Sequence, residues 1–252
     1  MKFEKYQASG NNFILIEDEI DTKSIKRLCD YNYGIGGDGL ILINNNDISF
    51  FNKDGSNASL CINGLRCCAL YLLKKGVLKD SLEVSTVSGK YNFEVLNHNK
   101  YEFKITYPSN KNFISKLSLK TKKISIYERN YEFYFVNLGN NHAICFLDNF
   151  KNIHRDIKLI KRHIDSDKYN INFVKINSPK LITVLTYERG VGFTLSCGSG
   201  STASAFLACK LNLIENEVRI NVPFSKLKII LDKKIEVLGD ANFIYRGEVD
   251  EF

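Results

Sequence analysis

The stretch that decides the fold is Cys197-Gly198-Ser199-Gly200, together with the run from Ser201 to Leu213 that follows it. Small residues and glycines form a turn, and the segment after this turn places apolar residues on nearly every face of a helix. A helix without a polar side has to be buried. Its first turn carries unpaired backbone N–H groups and the positive end of the helix dipole. A thiol at Cys197 would therefore be acidified there, and an anion could bind beside it.

The same pattern occurs earlier in the chain. Cys61-Ile62-Asn63-Gly64 leads into a second segment, Leu65 to Leu73, that is apolar almost all round. Basic residues and then Gly76 mark the end of this helix. About half of the 252 residues separate the two cysteines. The sequence therefore predicts two similar halves, each with a Cys-x-x-Gly turn at the head of a buried helix, and an active site in the cleft between them.

Short strand candidates surround both helices. In the clearest of them, Tyr101–Tyr107, apolar and polar residues alternate strictly, as a half-buried strand requires. We predict an α+β fold with two pseudo-symmetric domains, each a curved, mostly antiparallel or mixed sheet wrapped around a central buried helix. The polar, proline-marked segment Pro108–Lys111 separates them. Domain 1 then covers residues 1–110, joined by the C-terminal strand 241–252, and domain 2 covers residues 111–240.

Composition narrows the class of protein. No apolar run approaches 18 residues and the N-terminus lacks an apolar signal segment, so we expect neither a membrane span nor secretion, and the cytoplasm is the default. The seven cysteines are an odd number without the spacing of a disulfide scaffold, which favours reduced thiols. The net charge of +7 comes from scattered basic residues rather than from a stripe, which argues against a nucleic-acid partner.

Two kinds of bound group are not expected. No Cys-x-x-Cys pair is repeated and the acidic residues lack metal-ligand spacing, so we predict no metal. The glycine-rich stretch Tyr33–Gly39 lacks the Lys-Ser/Thr of a phosphate-binding loop, so we interpret it as a structural loop. Most of the cysteines lie inside apolar or helical runs and are interpreted as packing residues: Cys29, Cys67, Cys68, Cys145 and Cys209.

Four motifs, in this order, resemble those of the diaminopimelate epimerases. They are Ala8–Phe13, Asn52–Cys67, Gly139–His142 and Glu188–Gly200. The resemblance covers nearly the whole chain and implies a two-base reaction at the α-carbon of an amino acid without a cofactor. One cysteine removes the α-proton as a thiolate and the other donates a proton to the opposite face as a thiol, and by correspondence these are Cys61 and Cys197. His142 and Glu188 would set the protonation states of the thiols.

The resemblance also implies the substrate. It predicts interconversion of LL- and meso-2,6-diaminopimelate in lysine and peptidoglycan-precursor synthesis, with a small-molecule amino acid as the only partner and a homodimer left open. The predicted substrate-binding residues are Asn11, Asn52, Ile62, Asn63, Asn140, Asn170, Glu188, Arg189, Gly198 and Ser199. Arg189 suits a bidentate grip on the distal carboxylate. Backbone N–H groups at the two helix heads would stabilise charge that develops on the substrate.

Three departures from the family pattern leave alternatives open. Ile62 and Asn141 stand where the family usually has glycine and proline, and Gly39 stands where some members carry glutamine. The first alternative is a broader amino-acid racemase that also accepts, for example, glutamate. The second is an amino-acid-binding homologue without catalysis. The third is a redox switch in which Cys61 and Cys197 form a disulfide.

Overall fold

The computed structural model describes residues 1–108, 121–223 and 225–250. The chain divides into two compact units: unit 1 combines Met1–Pro108 with Glu236–Phe252, and unit 2 is Ser109–Ile235. Residues 109–111 of the expected boundary segment and the last two residues of the expected C-terminal strand lie outside the described residues. None of the helices in the described residues is long and apolar enough to cross a membrane.

Each unit contains two helices among its described residues and a set of short strands. The elements of unit 1 are β1 (Lys2–Ala8), β2 (Asn11–Ile16), α1 (Thr22–Cys29), β3 (Gly39–Asn44), β4 (Asp47–Asn52), β5 (Asn57–Ala58), α2 (Ile62–Lys74), β6 (Ser81–Thr86), β7 (Gly89–Asn97) and β8 (Glu102–Thr106). Those of unit 2 are β9 (Thr121–Ile126), β10 (Arg129–Asn137), β11 (Asn141–Phe146), α3 (Ile153–His163), β12 (Asn170–Ser178), β13 (Leu181–Glu188), β14 (Gly192–Thr194), α4 (Gly198–Lys210), β15 (Glu217–Val222) and β16 (Ser225–Leu231). The chain then returns to unit 1 through β17 (Ile235–Asp240) and β18 (Asn242–Glu248).

The two units repeat one order of elements. In unit 1, α1 connects the parallel strands β2 and β3, and α2 connects the parallel strands β4 and β6. In unit 2, α3 connects the parallel strands β11 and β12, and α4 connects the parallel strands β13 and β15. The other strand pairs that contain these elements are antiparallel. This mixed, mostly antiparallel arrangement confirms the predicted α+β class with two similar halves.

The second helix of each half is the buried one. Helix α2 packs on β1, β2, β8 and β18, and all residues from Ile62 to Leu72 are buried. Helix α4 packs on β10, β11, β12, β13 and β16, and all residues from Gly198 to Ala208 are buried. The apolar run after Gly200 continues to Leu213 in the sequence, but the helix ends at Lys210, because Asn212 adopts a positive φ of 55°. Burial of both helices is what the absence of a polar face predicts.

Candidate active site

Cys61 is the residue that caps the N-terminus of α2. Its backbone is extended, with φ −136° and ψ 102°, and its Sγ accepts a hydrogen bond of 3.3 Å from the backbone N–H of Gly64. Serine or aspartate usually holds this position, where a side chain accepts from one of the unpaired N–H groups of the first turn. Together with the helix dipole, this N–H donor favours the negatively charged thiolate.

The first turn of α2 explains one departure from the family pattern. Ile62 has helical backbone and only 1% of it is exposed, so this position does not need the positive φ that a glycine would allow. Gly64 is different, because a Cβ there would lie 2.7 Å from Cε1 of Phe50. Glycine at this point lets the first turn approach β4 closely.

Asn63 and Arg66 form a buried polar pair inside a helix that the sequence shows as apolar. Nη2 of Arg66 donates to Oδ1 of Asn63 at 2.6 Å and to Oγ of Ser9 at 2.9 Å. Both Asn63 and Arg66 are buried. The side chain of Asn63 is thus engaged inside the unit. Its backbone N–H lies in the first helical turn, and this is the group of Asn63 suited to bind a ligand. Arg66 was missed by sequence reasoning, and the one signal for it is a charge within an apolar run.

Asn11 lies at the start of β2, where the glycine-rich loop holds its side chain. Its Nδ2 donates to Oδ2 of Asp38 at 3.0 Å, and the backbone N–H of Asn12 donates to the same oxygen at 2.8 Å. The backbone N–H of Asp38 donates in return to the carbonyl of Asn12 at 2.8 Å. The loop therefore fixes the start of β2, and Asp38, which holds the Asn11 side chain, was not revealed by the sequence.

Asn52 ends β4 at a tight turn. Its Nδ2 donates to Oγ of Ser56 at 2.9 Å and its backbone N–H donates to the carbonyl of the same serine at 2.8 Å. Asn52 pairs with Gly39 across β3 and β4. A Cβ on Gly39 would lie 2.5 Å from the carbonyl oxygen of Phe51, so this backbone arrangement excludes the glutamine that some family members carry.

Cys197 repeats the geometry of Cys61 at the head of α4. Its backbone is extended, with φ −116° and ψ 105°, and its Sγ accepts a hydrogen bond of 3.4 Å from the N–H of Gly200. Oγ of Ser199 lies 3.5 Å from the same sulfur. Cys197 is more buried than Cys61, with 6% of it exposed. Gly198 and Ser199 are the first two residues of the helix, so their N–H groups point out of its N-terminus.

The Gly-Asn-Asn-His turn reaches the head of α4. Nδ2 of Asn140 is 3.4 Å from Oγ of Ser199, which links this turn to the residue beside Cys197. Asn141 opens β11, where it pairs with Asn137 and its Oδ1 accepts from Nδ2 of Asn137 at 2.8 Å. The side chain at this position thus closes the β10–β11 hairpin in place of the proline of the family pattern.

His142 is fully buried and neutral. Nδ2 of Asn172 donates to the carbonyl of Asn170 at 3.2 Å and lies 3.1 Å from Nδ1 of His142, while Oγ1 of Thr186 donates to Oδ1 of Asn172 at 2.9 Å. The carbonyl can only accept and the hydroxyl donates, so the amide orientation is fixed and Nδ1 of His142 is an acceptor. Burial lowers the pKa of His142 to about 3. Its proton is therefore on Nε2, and His142 is a hydrogen-bond donor rather than a cation.

Gly200 brings this network next to the thiol. A Cβ on Gly200 would lie 2.3 Å from Oδ1 of Asn172 and 3.3 Å from Sγ of Cys197. Both atoms therefore lie beside the same point of the first turn of α4. Asn172 and Thr186 were not predicted, because in the sequence each is an ordinary polar residue of a strand. Their pairing follows from the register of β12 and β13, which the structure shows.

The remaining predicted residues lie at the ends of β12 and β13. Asn170 begins β12, and its Oδ1 accepts from the backbone N–H of Arg189 at 2.9 Å. Glu188 ends β13, and its Oε1 accepts from Oγ1 of Thr194. The Arg189 residue is exposed. These contacts bring Asn170, Glu188 and Arg189 to one edge of unit 2.

The other cysteines mostly agree with the packing interpretation. Cys29, Cys67, Cys68 and Cys145 are buried. Cys209 is only partly buried, and its Sγ donates to Oδ1 of Asn216 at 3.3 Å, because it lies in the last turn of α4. No group of three or more His, Cys, Asp or Glu residues in the described part of the chain is arranged to hold a metal ion.

Comparison with known sequences places the chain among amino-acid epimerases. A family model described as diaminopimelate epimerase matches residues 3–109 and 134–244. The diaminopimelate epimerase of Clostridium perfringens is 33% identical to this chain in an alignment of 268 positions that covers 98% of each protein. That of Caldanaerobacter subterraneus is 32% identical over 99% of this chain and 100% of its own length. An archaeal relative from Methanocaldococcus jannaschii is 30% identical over 99% of this chain and 98% of its own length.

Solved structures with low sequence identity share the fold. A probable proline racemase from Agrobacterium radiobacter has a TM-score of 0.73 at 11% identity, covering 99% of this chain and 92% of that one. A hydroxyproline epimerase from Agrobacterium vitis has a TM-score of 0.71 at 10% identity, covering 99% and 90%. A phenazine biosynthesis protein of the PhzF family from Enterococcus faecalis has a TM-score of 0.70 at 12% identity, covering 99% of both chains.

Proposed function

The chain belongs to the diaminopimelate epimerase family, and we propose that it interconverts LL- and meso-2,6-diaminopimelate by moving a proton between Cys61, the substrate α-carbon and Cys197. The observation that carries this proposal is the matched pair of thiols. Each caps the N-terminus of a buried helix and accepts a backbone N–H, within a chain whose family match spans both halves. A single thiol could not serve both faces of a carbon whose configuration inverts.

The first step is removal of the α-proton. One cysteine acts as the general base in its thiolate form, and the other cysteine, as a thiol, delivers its proton to the opposite face. After one turnover the roles of the two sulfurs are exchanged, and the reverse reaction restores them. The proton removed from the substrate stays on the first sulfur and the proton delivered comes from the second, so the reaction needs no further acid or base.

The second requirement is stabilisation of the charge that develops when the α-proton leaves. The backbone N–H groups of Ile62 and Asn63 in α2 and of Gly198 and Ser199 in α4 lie in first helical turns, where they lack intrahelical acceptors. Donors of this kind are oriented before the reaction starts and lie at the positive end of a helix dipole. They suit the carboxylate next to the reacting carbon, onto which the negative charge spreads.

Substrate binding is assigned to the polar residues at the strand ends. Asn11 and Asn52 present amides from β2 and β4, and Asn140 and Asn170 present amides from the second half. Arg189 is suited to hold the distal carboxylate through two parallel hydrogen bonds. Selection follows because a shorter amino acid would leave these polar groups unpaired.

Two residues are assigned to the environment of the thiols. Neutral His142 carries its proton on Nε2, since Asn172 occupies its other ring nitrogen, and this buried N–H has no partner within the described residues. Glu188 keeps its carboxylate oriented through Thr194. Neither residue replaces the cysteines as acid or base in this proposal.

Substrate selectivity follows the family. The side chain of Ile62 is buried in its own unit, and Gly39 is fixed by the carbonyl of Phe51. Neither departure therefore argues for a broader racemase that also accepts glutamate. The proposed place of the reaction is the cytoplasm, where seven free cysteines stay reduced, and its product would serve lysine and peptidoglycan-precursor synthesis.

The test is conversion of LL-diaminopimelate in D₂O, followed by NMR and by chiral separation of the products. We expect meso-diaminopimelate with deuterium at the inverted α-carbon, and no α-deuterium in L-glutamate incubated in parallel. Absence of both meso product and α-deuterium would exclude the proposed reaction. Deuterium in glutamate would instead support the broader racemase.

A further inference from the structure

We propose that Arg66 is a positioning residue whose buried positive charge holds Cys61 as the thiolate of the resting protein. This inference rests on the proposed two-thiol reaction, because it states which of the two sulfurs carries the negative charge before substrate binds. It concerns a residue that touches neither the substrate nor the reacting carbon in the proposed reaction.

The geometry fixes the guanidinium close to the head of α2. Arg66 follows Cys61 by five residues on the same helix and has no exposed surface. Its Nη2 is held between Oδ1 of Asn63 and Oγ of Ser9, at 2.6 and 2.9 Å. Both acceptors are neutral. The guanidinium is thus tied to the first turn of α2 and to the β1–β2 turn just before Asn11.

No carboxylate neutralises this charge by contact. Within the described ranges, Arg66 forms no salt bridge, and its Nε and Nη1 have no hydrogen-bond partner. Burying an unpaired guanidinium is costly, and a favourable interaction with an anion has to offset that cost. Burial lowers the pKa of Arg66, but arginine starts above 12 and stays charged in proteins. The position therefore calls for a negative charge nearby.

Of the titratable groups around Arg66, two can carry a negative charge, Asp240 and Cys61. Cys61 and Cys67 on its own helix and Asp240 at the end of β17 face it. Burial raises the pKa of Cys67, so this thiol stays protonated, whereas Asp240 and Cys61 both act on Arg66 through their charge, Asp240 the more strongly. Cys61 is partly exposed and already accepts the N–H of Gly64. The thiolate of Cys61 is thus the anion of the active-site helix that the buried charge stabilises, in addition to the carboxylate of Asp240.

Further groups near this cluster stay neutral. Cys68 also faces Cys61, and burial raises its pKa well above the ordinary value. From β1, the Tyr6 hydroxyl faces Cys67 and donates to Glu4, and burial raises its pKa as well. Of the charged groups in this cluster, Arg66 favours a thiolate at Cys61, and Asp240, which faces Arg66 and Cys67, opposes it.

The corresponding position in α4 is uncharged. Thr202 follows Cys197 by five residues, is fully buried, and donates through Oγ1 to the carbonyl of Gly198 at 2.8 Å. The first two turns of α4 carry hydroxyl side chains and glycines, and the basic residue of this helix is Lys210 in its last turn. Helix α4 therefore offers Cys197 a dipole and a hydrogen bond but no cation of its own.

The experiment measures the rate at which iodoacetamide alkylates Cys61 as a function of pH, in the full-length protein without substrate, by mass spectrometry of the peptide. We expect a midpoint below about 8.5, the ordinary cysteine value, and a higher midpoint for Cys197. Arg66→Gln keeps a donor for Asn63 but loses the charge, and should raise the Cys61 midpoint by about one unit or more. Arg66→Lys keeps the charge and should recover most of that shift.

The matched control should shift the Cys61 midpoint in the opposite direction. Asp240→Asn removes the negative charge that opposes Arg66 and should lower the Cys61 midpoint, whereas general damage to the site would not move the two variants in opposite directions. A Cys61 midpoint at or above the ordinary value, a midpoint above that of Cys197, or no upward shift in Arg66→Gln would overturn the inference. If Arg66→Gln does not fold, Arg66→Lys and Asp240→Asn decide alone, and a rise in the midpoint with Asp240→Asn overturns it.

The readout needs no turnover. A protein that fails to epimerise diaminopimelate but shows these shifts would contradict the proposed function while the charge assignment to Cys61 stands. A protein that epimerises without these shifts would contradict only the role of Arg66.

Discussion

The heads of α2 and α4 have the same backbone chemistry and different electrostatic surroundings. In both, a cysteine in extended conformation caps the helix and accepts the N–H of the residue three positions later, at 3.3 and 3.4 Å. The helix that Cys61 caps carries the buried cation of Arg66. The first turns of the helix that Cys197 caps carry hydroxyl side chains, and the neutral His142–Asn172 pair lies next to them. In the proposed reaction the common part suits both thiols to proton transfer, and we infer that the different part determines which thiol is charged at rest.

The largest effect should come from removing either thiol. Cys61→Ala and Cys197→Ala should each lower kcat for epimerisation by about 10²- to 10⁴-fold, the usual contribution of a general acid or base. Cys209→Ala is the matched control, because Cys209 lies in the last turn of α4 and bonds Asn216. Steady-state rates in both directions check this, and near-normal turnover in either of the first two variants would refute the pairing of the two heads.

Adding a methyl group to the first turn should damage α4 more than α2. The Cβ of Gly200→Ala would meet Oδ1 of Asn172 at 2.3 Å, and that amide is held by Thr186. The Cβ of Gly64→Ala would meet the ring of Phe50 at 2.7 Å. Overpacking costs about 1–3 kcal/mol, and a displaced buried hydrogen bond adds about 1 kcal/mol.

Urea unfolding of both glycine variants measures the difference. Gly37→Ala is a control in which the new Cβ would have ordinary contacts of 3.4 Å and longer. Equal losses in the free energy of unfolding for Gly64→Ala and Gly200→Ala would show that the Asn172 amide is displaced at the same cost as the Phe50 ring.

The neutral histidine makes unit 2 sensitive to acid. His142 stays neutral in the folded protein down to about pH 3, because burial lowers its pKa, whereas an unfolded chain binds this proton near pH 6.5. Its contribution to stability is therefore complete above pH 6.5 and is lost as the pH falls towards 3, by about 1.4 kcal/mol per pH unit. In the native protein this slope adds to that of the other titrating groups.

His142→Gln should reduce the slope of the unfolding free energy against pH, between pH 6.5 and 4, by up to about 1.4 kcal/mol per pH unit. His163→Gln, at an exposed position, is the matched control for the substitution itself. An unchanged slope in His142→Gln would mean that the ring is charged in the folded protein, which would contradict the hydrogen bond to Asn172.

The sequence predicts those features that depend on local pattern. Both helix heads follow from a Cys-x-x-Gly turn before an apolar run, and the helices are observed at Ile62–Lys74 and Gly198–Lys210. Partners distant in sequence could not be predicted in this way. Arg66 meets Ser9 across 57 residues, and Thr186 meets Asn172 through the pairing of β12 with β13.

The same limit explains why departures from a motif were hard to judge. Ile62 in place of glycine suggested a changed substrate site, because a sequence does not show where a side chain is buried. In the structure this side chain packs inside unit 1, and the glycine that the turn needs is Gly64, opposite Phe50.

The most direct test of the two-thiol account is deuterium exchange by the single-cysteine variants. With one base removed, the remaining thiolate can still take and return a proton on its own face without inverting the carbon. Cys61→Ala and Cys197→Ala, incubated in D₂O with LL- and with meso-diaminopimelate, should therefore label opposite configurations of the α-carbon and form no inverted product. Inverted product from either variant, or labelling of the same configuration by both, would contradict the account.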